Sequence, residues 1–120
     1  MQDFKKLSVW KVSHEFTLDI YQITRVFPME EKFGLISQIR RSSASIPANI
    51  AEGCGRRGKG EMSRFLQIAF GSATETEYHL LLAKDLRFIK TNDYLELNKK
   101  IVGIKKMLSG LIKSVKLSDP

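Results

Sequence analysis

Residues 52–61, EGCGRRGKGE, match two phosphate-binding patterns at once, and their reading decides the fold. Gly53, Gly55 and Gly58 spell G-x-G-x-x-G, and Gly53 to Lys59 spells G-x-x-x-x-G-K. If either pattern were functional, the chain would be an α/β nucleotide binder, because both need a β-strand ahead of the glycines. The residues ahead are IPANIAE, the end of a helical run. Gly60 stands where a P-loop needs the hydroxyl that holds Mg²⁺, and no buried strand ending in an acid supplies a second ligand. The segment therefore reads as a glycine-rich linker between two helices. Gly53 is expected just past the end of the first, where glycine readily takes positive φ. Gly60 is expected to begin the second, with Glu61 in its favourable first turn. Cys54 is expected to be an incidental loop thiol whose pKa the helix end raises.

Outward from this linker, the whole chain shows helical periodicity. Val9, Val12, Phe16, Ile20, Ile23 and Phe27 recur at spacings of three and four, with Ser8 as a possible cap and Pro28 as a stop. A second run, 31–52, carries Phe33, Ile36, Ile39, Ser43, Ile46 and Ile50 on one stripe. Pro47 lies inside it and removes the bond from its own nitrogen to the carbonyl of Ser43, so a kink is expected there. A third run, 61–89, aligns Met62, Phe65, Ala69, Ala73, Thr76, Leu80 and Ala83, and its small residues (Ala69, Gly71, Ser72, Ala73) allow close helix approach. The fourth, 93–115, aligns Leu97, Ile101, Ile104, Leu108, Leu111 and Val115. Turn-like residues separate the runs, and no segment reads as a strand. The prediction is all-α: one domain, residues 1–120, folded as an antiparallel up-down-up-down four-helix bundle with helix 2 kinked at Pro47.

Length and composition agree with a single soluble core: 120 residues, 42% hydrophobic, 28% charged. One cysteine excludes an intramolecular disulfide and suits a reducing cytoplasm. No apolar run is long enough to span a bilayer, and the first ten residues do not read as a signal peptide. The net charge of +7 tilts the choice of partner toward polyanions.

Two groups of cations could serve such a partner. Arg56, Arg57 and Lys59 lie on the linker, with Arg40, Arg41 and Arg64 nearby if the helices pack antiparallel. Residues 99–116 hold six lysines and no acid, and Lys99, Lys106 and Lys113 form one stripe opposite the apolar one. Solvation explains both groups as well as phosphate contact does. No aromatics interleave with the lysines, so base stacking on that helix has no support.

Catalysis finds little footing. Di-metal bundles use Glu-x-x-His, whereas this chain has Glu75-x-x-x-His79 and adjacent His14-Glu15. No nucleophile elbow is present. Asn49, Glu52, Ser72 and Glu75 are expected to form a polar cluster joining helices 2 and 3, structural rather than catalytic. No metal or cofactor is expected.

The stretches FGLISQIRRSSASIPANIAEGCGR and RFLQIAFGSATETEYHLL resemble the four-helix-bundle family encoded in intervening sequences of bacterial 23S rRNA genes. LSVWKVSHEFTLDIYQITRVFP is similar to that family's first helix. A more distant resemblance is to the accessory variability determinant proteins of diversity-generating retroelements. The resemblance implies a ring-shaped homopentamer and, for the retroelement branch, a basic surface that binds nucleic acid and a partner reverse transcriptase. It implies no catalytic residues. Ser45-Ile46, Asn49-Ile50, Glu52-Gly53 and Gly71-Ser72 with Glu75 carry the motif as fold and assembly positions. The expected function is a non-enzymatic oligomeric bundle binding structured RNA or DNA through phosphates. The alternative is a protein-interaction scaffold with no nucleic-acid role.

Overall fold

The computed structural model describes residues 2–117, so Met1 and residues 118–120 of the expected domain lie outside the described residues. Four helices follow in order: α1 Ser8–Ile23, α2 Leu35–Gly55, α3 Lys59–Asp85 and α4 Thr91–Leu117. Among the described residues there is no strand. Contacts between sequence neighbours run antiparallel. Thr24 meets Arg40 while Thr17 meets Ser43, Ser42 meets Thr76 while Gly53 meets Phe65, and Lys84 meets Tyr94 while Glu77 meets Lys105. Asp19 and Lys100 close the bundle between α1 and α4.

Most of the core comes from the predicted stripes: Phe16, Ile20, Ile39, Ile46, Ile50, Leu80, Ile101, Ile104 and Leu108 are all fully buried. At the front of α3 the unpredicted Leu66 is buried, while the predicted Met62 and Phe65 are half-buried. Burying side chains of this kind contributes about 1.5–3 kcal/mol each. It is this burial, more than intrinsic propensity, that holds the helices in place.

Several expectations need correction. α1 ends at Ile23, and a 3₁₀ turn at Thr24–Val26 carries the chain into extended Phe27, whose ring is buried all the same. Ser8 is the first helical residue and Leu7 the cap position, without a side-chain capping bond. α2 starts at Leu35 rather than at 31, after a 3₁₀ turn at Met29–Glu31. Glu31 folds back so that its Oε1 accepts from Leu35 N at 3.1 Å, satisfying an otherwise open amide where a carboxylate is favoured. This shifts the phase at the front of α2. Phe33, expected in the core, is 89% exposed.

α2 also runs further than expected. It continues past Pro47 to Gly55, a course compatible with the expected kink at the missing rung. Gly53 lies inside the helix and is buried because α3 passes close by. A Cβ there would sit 3.1 Å from Phe65 Cβ and 3.3 Å from the Met62 carbonyl oxygen. The positive φ falls instead on Gly58, at 86°, in the short turn into α3. Cys54 is a buried helical residue rather than a loop thiol. Its pKa is raised, chiefly by burial and then by Asp3.

Candidate nucleic-acid interface and the polar seam behind it

The α2–α3 turn gathers cations at one end of the bundle. Arg56 directly follows α2 and pairs with Glu52 one turn back, at 3.0 Å. Arg64, in the second turn of α3, pairs with Glu61 at 3.0 Å. Both guanidinium groups lie over the Phe65 ring, at 5.1 and 4.5 Å from its centroid. The half-buried aromatic thus holds two cations in fixed places, each weakly attracted to the ring face. Arg57 and Lys59 are exposed between them. A shallow cleft of about 440 Å³ opens here, lined by Gln2, Cys54, Arg56, Gly58, Lys59 and Met62. The Gln2 amide donates to the Cys54 carbonyl at 3.2 Å and so fixes the start of the chain against this end.

Arg64 therefore joins the linker cations as expected, but Arg40 and Arg41 do not. They sit some fifteen residues back along α2, which is about 22 Å at helical rise. Being consecutive, they also point roughly 100° apart. Arg40 turns to α1, where it donates to Thr24 Oγ1 at 2.8 Å and to the Tyr21 carbonyl at 3.2 Å and lies 4.7 Å from the Tyr21 ring. Arg41 turns to α3, donating to Gln38 Oε1 at 2.7 Å and pairing with Glu75 at 3.2 Å.

The α4 lysines divide in the same way. Lys100 reaches Asp19 at 2.9 Å, and Lys105 reaches Glu77 at 2.8 Å. Lys99, Lys106 and Lys113 are exposed, and no acid stands near them in the sequence from Leu97 to Leu117. They recur every seven residues, so their bases lie about 10.5 Å apart along one face.

Behind these surfaces, α2 and α3 are joined by a polar seam. Asn49 Nδ2 donates to the Ser45 carbonyl and hydroxyl, both at 2.8 Å, and the Ser45 and Ser72 hydroxyls bond at 2.9 Å. Thr76 Oγ1 lies 2.8 Å from both Ser42 Oγ and the Ser72 carbonyl. Ser42 Oγ contacts His79 Nδ1 at 3.3 Å, while His79 Nε2 lies 3.7 Å from the Glu75 carboxylate that also holds Arg41. Of the expected cluster, Asn49, Ser72 and Glu75 belong to this seam. Glu52 does not, being turned to Arg56. Ser42, Ser45, Thr76 and His79 complete it. Their signal was present in the sequence as hydroxyl residues at spacings of three and four on both facing helices.

The seam has the serine–histidine–carboxylate order of a hydrolytic triad. Ser42, however, is 1% exposed, and its hydroxyl is already engaged by Thr76 and the Ile39 carbonyl. A nucleophile must reach substrate, so this geometry serves packing. His79 has its pKa lowered, first by burial, with Glu75 opposing and Arg41 assisting. Among the described residues no buried side-chain nitrogen or oxygen lacks a partner. No group of three or more His, Cys, Asp or Glu residues there is placed to hold a metal. Among the described residues no helix is long and apolar enough to cross a membrane.

Comparison with known proteins agrees with this architecture. The family described as "23S rRNA-intervening sequence protein" matches residues 5–110. The chain is also similar to a crystal structure from Bacteroides thetaiotaomicron VPI-5482, described as a protein with unknown function from the S23 ribosomal protein family. Identity is 32%, the match covers 88% of this chain and 95% of that one, and the TM-score is 0.81. No curated protein matches the chain.

Proposed function

The chain belongs to the 23S rRNA-intervening sequence protein family, and from that premise we propose that it is a non-enzymatic, oligomeric bundle that binds structured RNA or DNA through phosphate contacts. The observation that carries this reading is the row of Lys99, Lys106 and Lys113, exposed along one face of a long helix that holds no acid after Glu96 among the described residues. Phosphate binding asks for placed cations and little else, and such contacts are weakly selective for sequence. Arg57 and Lys59 extend the cationic surface at the α2–α3 turn, with Arg56 and Arg64 beside them on Phe65 but partly neutralised by Glu52 and Glu61. Arg41 is a lesser contributor because Glu75 partly neutralises it. Arg40 contributes least, since its guanidinium is spent inside the chain.

Assembly is part of the same reading, as the homopentameric ring that the family resemblance implies. Gly71, Gly103 and Gly110 lie inside helices, where each is disfavoured by about 1 kcal/mol relative to alanine. Within the chain, nothing lies within 4 Å of where their Cβ atoms would be. Close approach of a neighbouring copy would account for them. A cytoplasmic location suits the single reduced thiol.

The test is an anisotropy titration of a structured RNA and a DNA duplex at several salt concentrations, with mass measured by light scattering on the same sample. Submicromolar binding that falls steeply with salt is expected. Replacing Lys99, Lys106 and Lys113 together by Gln should flatten the log–log slope by about 2–3 on a duplex. No binding at low salt by a well-formed oligomer would favour the scaffold reading, in which the partner is another protein.

A further inference from the structure

The apolar end of the bundle offers a chemistry that the cationic surfaces lack. Phe33 is 89% exposed, the most exposed large apolar side chain among the described residues. The fold turns it outward because α2 begins only at Leu35. Other rings near the surface are already occupied: Phe65 lies under Arg56 and Arg64, Tyr21 under Arg40, Phe70 under Lys105 and Tyr94 under Lys84. Tyr78 is 57% exposed, but the carboxylates on either side of it, Glu75 and Glu77, already take Arg41 and Lys105 as partners. Phe33 has only the flexible ammonium of its neighbour Lys32, 5.5 Å from the ring centroid.

The surrounding charge favours an anionic ligand. The Phe27 and Phe88 rings meet at 5.6 Å, which brings the α1–α2 connection and the α3–α4 turn to the same end. Arg25 and Lys32 lie on the first, and Arg87 and Lys90 on the second, all exposed. On these two connections the four cations face Glu30 and Glu31, the latter bound to the start of α2, while Asp85 is paired with Lys84 and Asp93 stands in the first turn of α4, which leaves a small positive excess.

We propose that Phe33 is a stacking platform for an unpaired nucleobase, with Arg25, Lys32, Arg87 and Lys90 placed for the flanking phosphates. This rests on the nucleic-acid reading above and narrows it to structured molecules that present single-stranded nucleotides. A looped-out base offers a free face to the ring, whereas bases inside an unbroken duplex have both faces covered. Val26 and Met29, 79% and 80% exposed on the same connection, supply an apolar shoulder for the adjacent sugar or base.

The experiment compares a hairpin RNA carrying 2-aminopurine in its loop with a fully paired RNA of the same length. Both are titrated with the full chain, with Phe33→Leu and with Phe33→Trp. Leucine keeps apolar bulk but lacks the aromatic face. The wild type is expected to quench the loop fluorophore. Phe33→Leu should weaken hairpin binding about ten-fold, with paired-RNA affinity and the salt slope unchanged, and Phe33→Trp should retain hairpin affinity. Because the side chain is exposed, thermal melts of the variants should superimpose on the wild type. Equal hairpin affinity of wild type and Phe33→Leu would overturn the stacking role, yet leave phosphate binding standing if both RNAs still bind with steep salt dependence. If Phe33→Leu instead changes the mass by light scattering with affinity intact, the ring belongs to a protein contact and the proposal fails. Failure of the wild type to bind either RNA at low salt overturns both readings.

Discussion

Thr17 Oγ1 lies 3.0 Å from the carbonyl oxygen of Ser43, across the α1–α2 interface, at the rung of α2 that Pro47 leaves open. Proline at 47 has no N–H to give the carbonyl four residues earlier. The acceptor is buried, and an unsatisfied buried carbonyl costs about 1–3 kcal/mol. The threonine hydroxyl shares its one proton between this carbonyl and that of Ser13 in its own helix, at 2.9 Å, and so supplies a donor to the gap from the neighbouring helix.

That relationship makes a specific prediction. Thr17→Val keeps the shape and removes the donor, so it should destabilise the fold by about 1–2 kcal/mol in denaturant unfolding. Restoring the helical N–H by Pro47→Ala should make the same Thr17→Val change nearly silent. A double-mutant cycle would read a coupling of about 1 kcal/mol. Additive effects would mean that the hydroxyl does not serve the proline gap.

The glycines divide by what surrounds them. Gly53→Ala gains helix propensity but pushes a methyl into Phe65 Cβ and the Met62 carbonyl, parts of α3 that cannot swing aside. A net loss of about 1 kcal/mol is expected, and Gly58→Ala should also destabilise because its φ of 86° disfavours a side chain. Gly103→Ala and Gly110→Ala should each stabilise the isolated chain by about 0.5–1 kcal/mol. Size-exclusion chromatography would show whether the same substitutions weaken assembly, as an intersubunit role for these glycines requires.

Most of the fold was legible because four long stripes of apolar residues keep a helical period, and that signal survives small errors of phase. Some misreadings fall where local bonding interrupts the period, and others, the exposed Val12 and the buried Leu66 beside a half-buried Phe65, are one-step errors of phase inside regular helices. Phe33 extended the α2 stripe on paper, but the 3₁₀ turn at Met29–Glu31 rotates it out of register. Gly53 looked like a helix stop because glycine often is one. Its actual duty, close contact with α3, depends on a partner distant in sequence. The polar cluster was half legible: Asn49 and Ser72 share an interface, whereas Glu52 had an arginine one turn ahead and took it. Helical spacing already sets Arg40 and Arg41 about 100° apart, but which neighbour each would serve depends on which helix flanks each side of α2.

His79 gives the fold a pH dependence. Its pKa in the folded chain is lowered from 6.5, mainly by burial, so between that lowered value and about 6.5 the unfolded chain binds the extra proton. Stability from this group is present above about pH 6.5 and declines as the pH falls through the window beneath. Glu75 and Arg41 flank the imidazole with opposite effects, and Ser42 faces Nδ1. Unfolding free energies at pH 7.5 and 5.5 should therefore differ more for the wild type than for His79→Gln. Equal differences would assign the acid sensitivity to other groups.

Arg40 and Arg57 should separate folding from binding. Arg40 bridges α2 to α1 through Thr24, the Tyr21 carbonyl and the Tyr21 ring. Arg40→Met keeps the aliphatic stem and loses the charged bonds, and should cost about 1–2 kcal/mol of stability. The folded fraction should bind nucleic acid with the wild-type salt slope. Arg57 is exposed in the turn, so Arg57→Glu should leave the melting curve almost unmoved. It should weaken binding and reduce the salt slope by about 1 or more, since one phosphate contact is lost and a repulsion added. The reverse pattern, with Arg40→Met changing the slope and Arg57→Glu silent, would move the interface from the α2–α3 turn to the α1–α2 face.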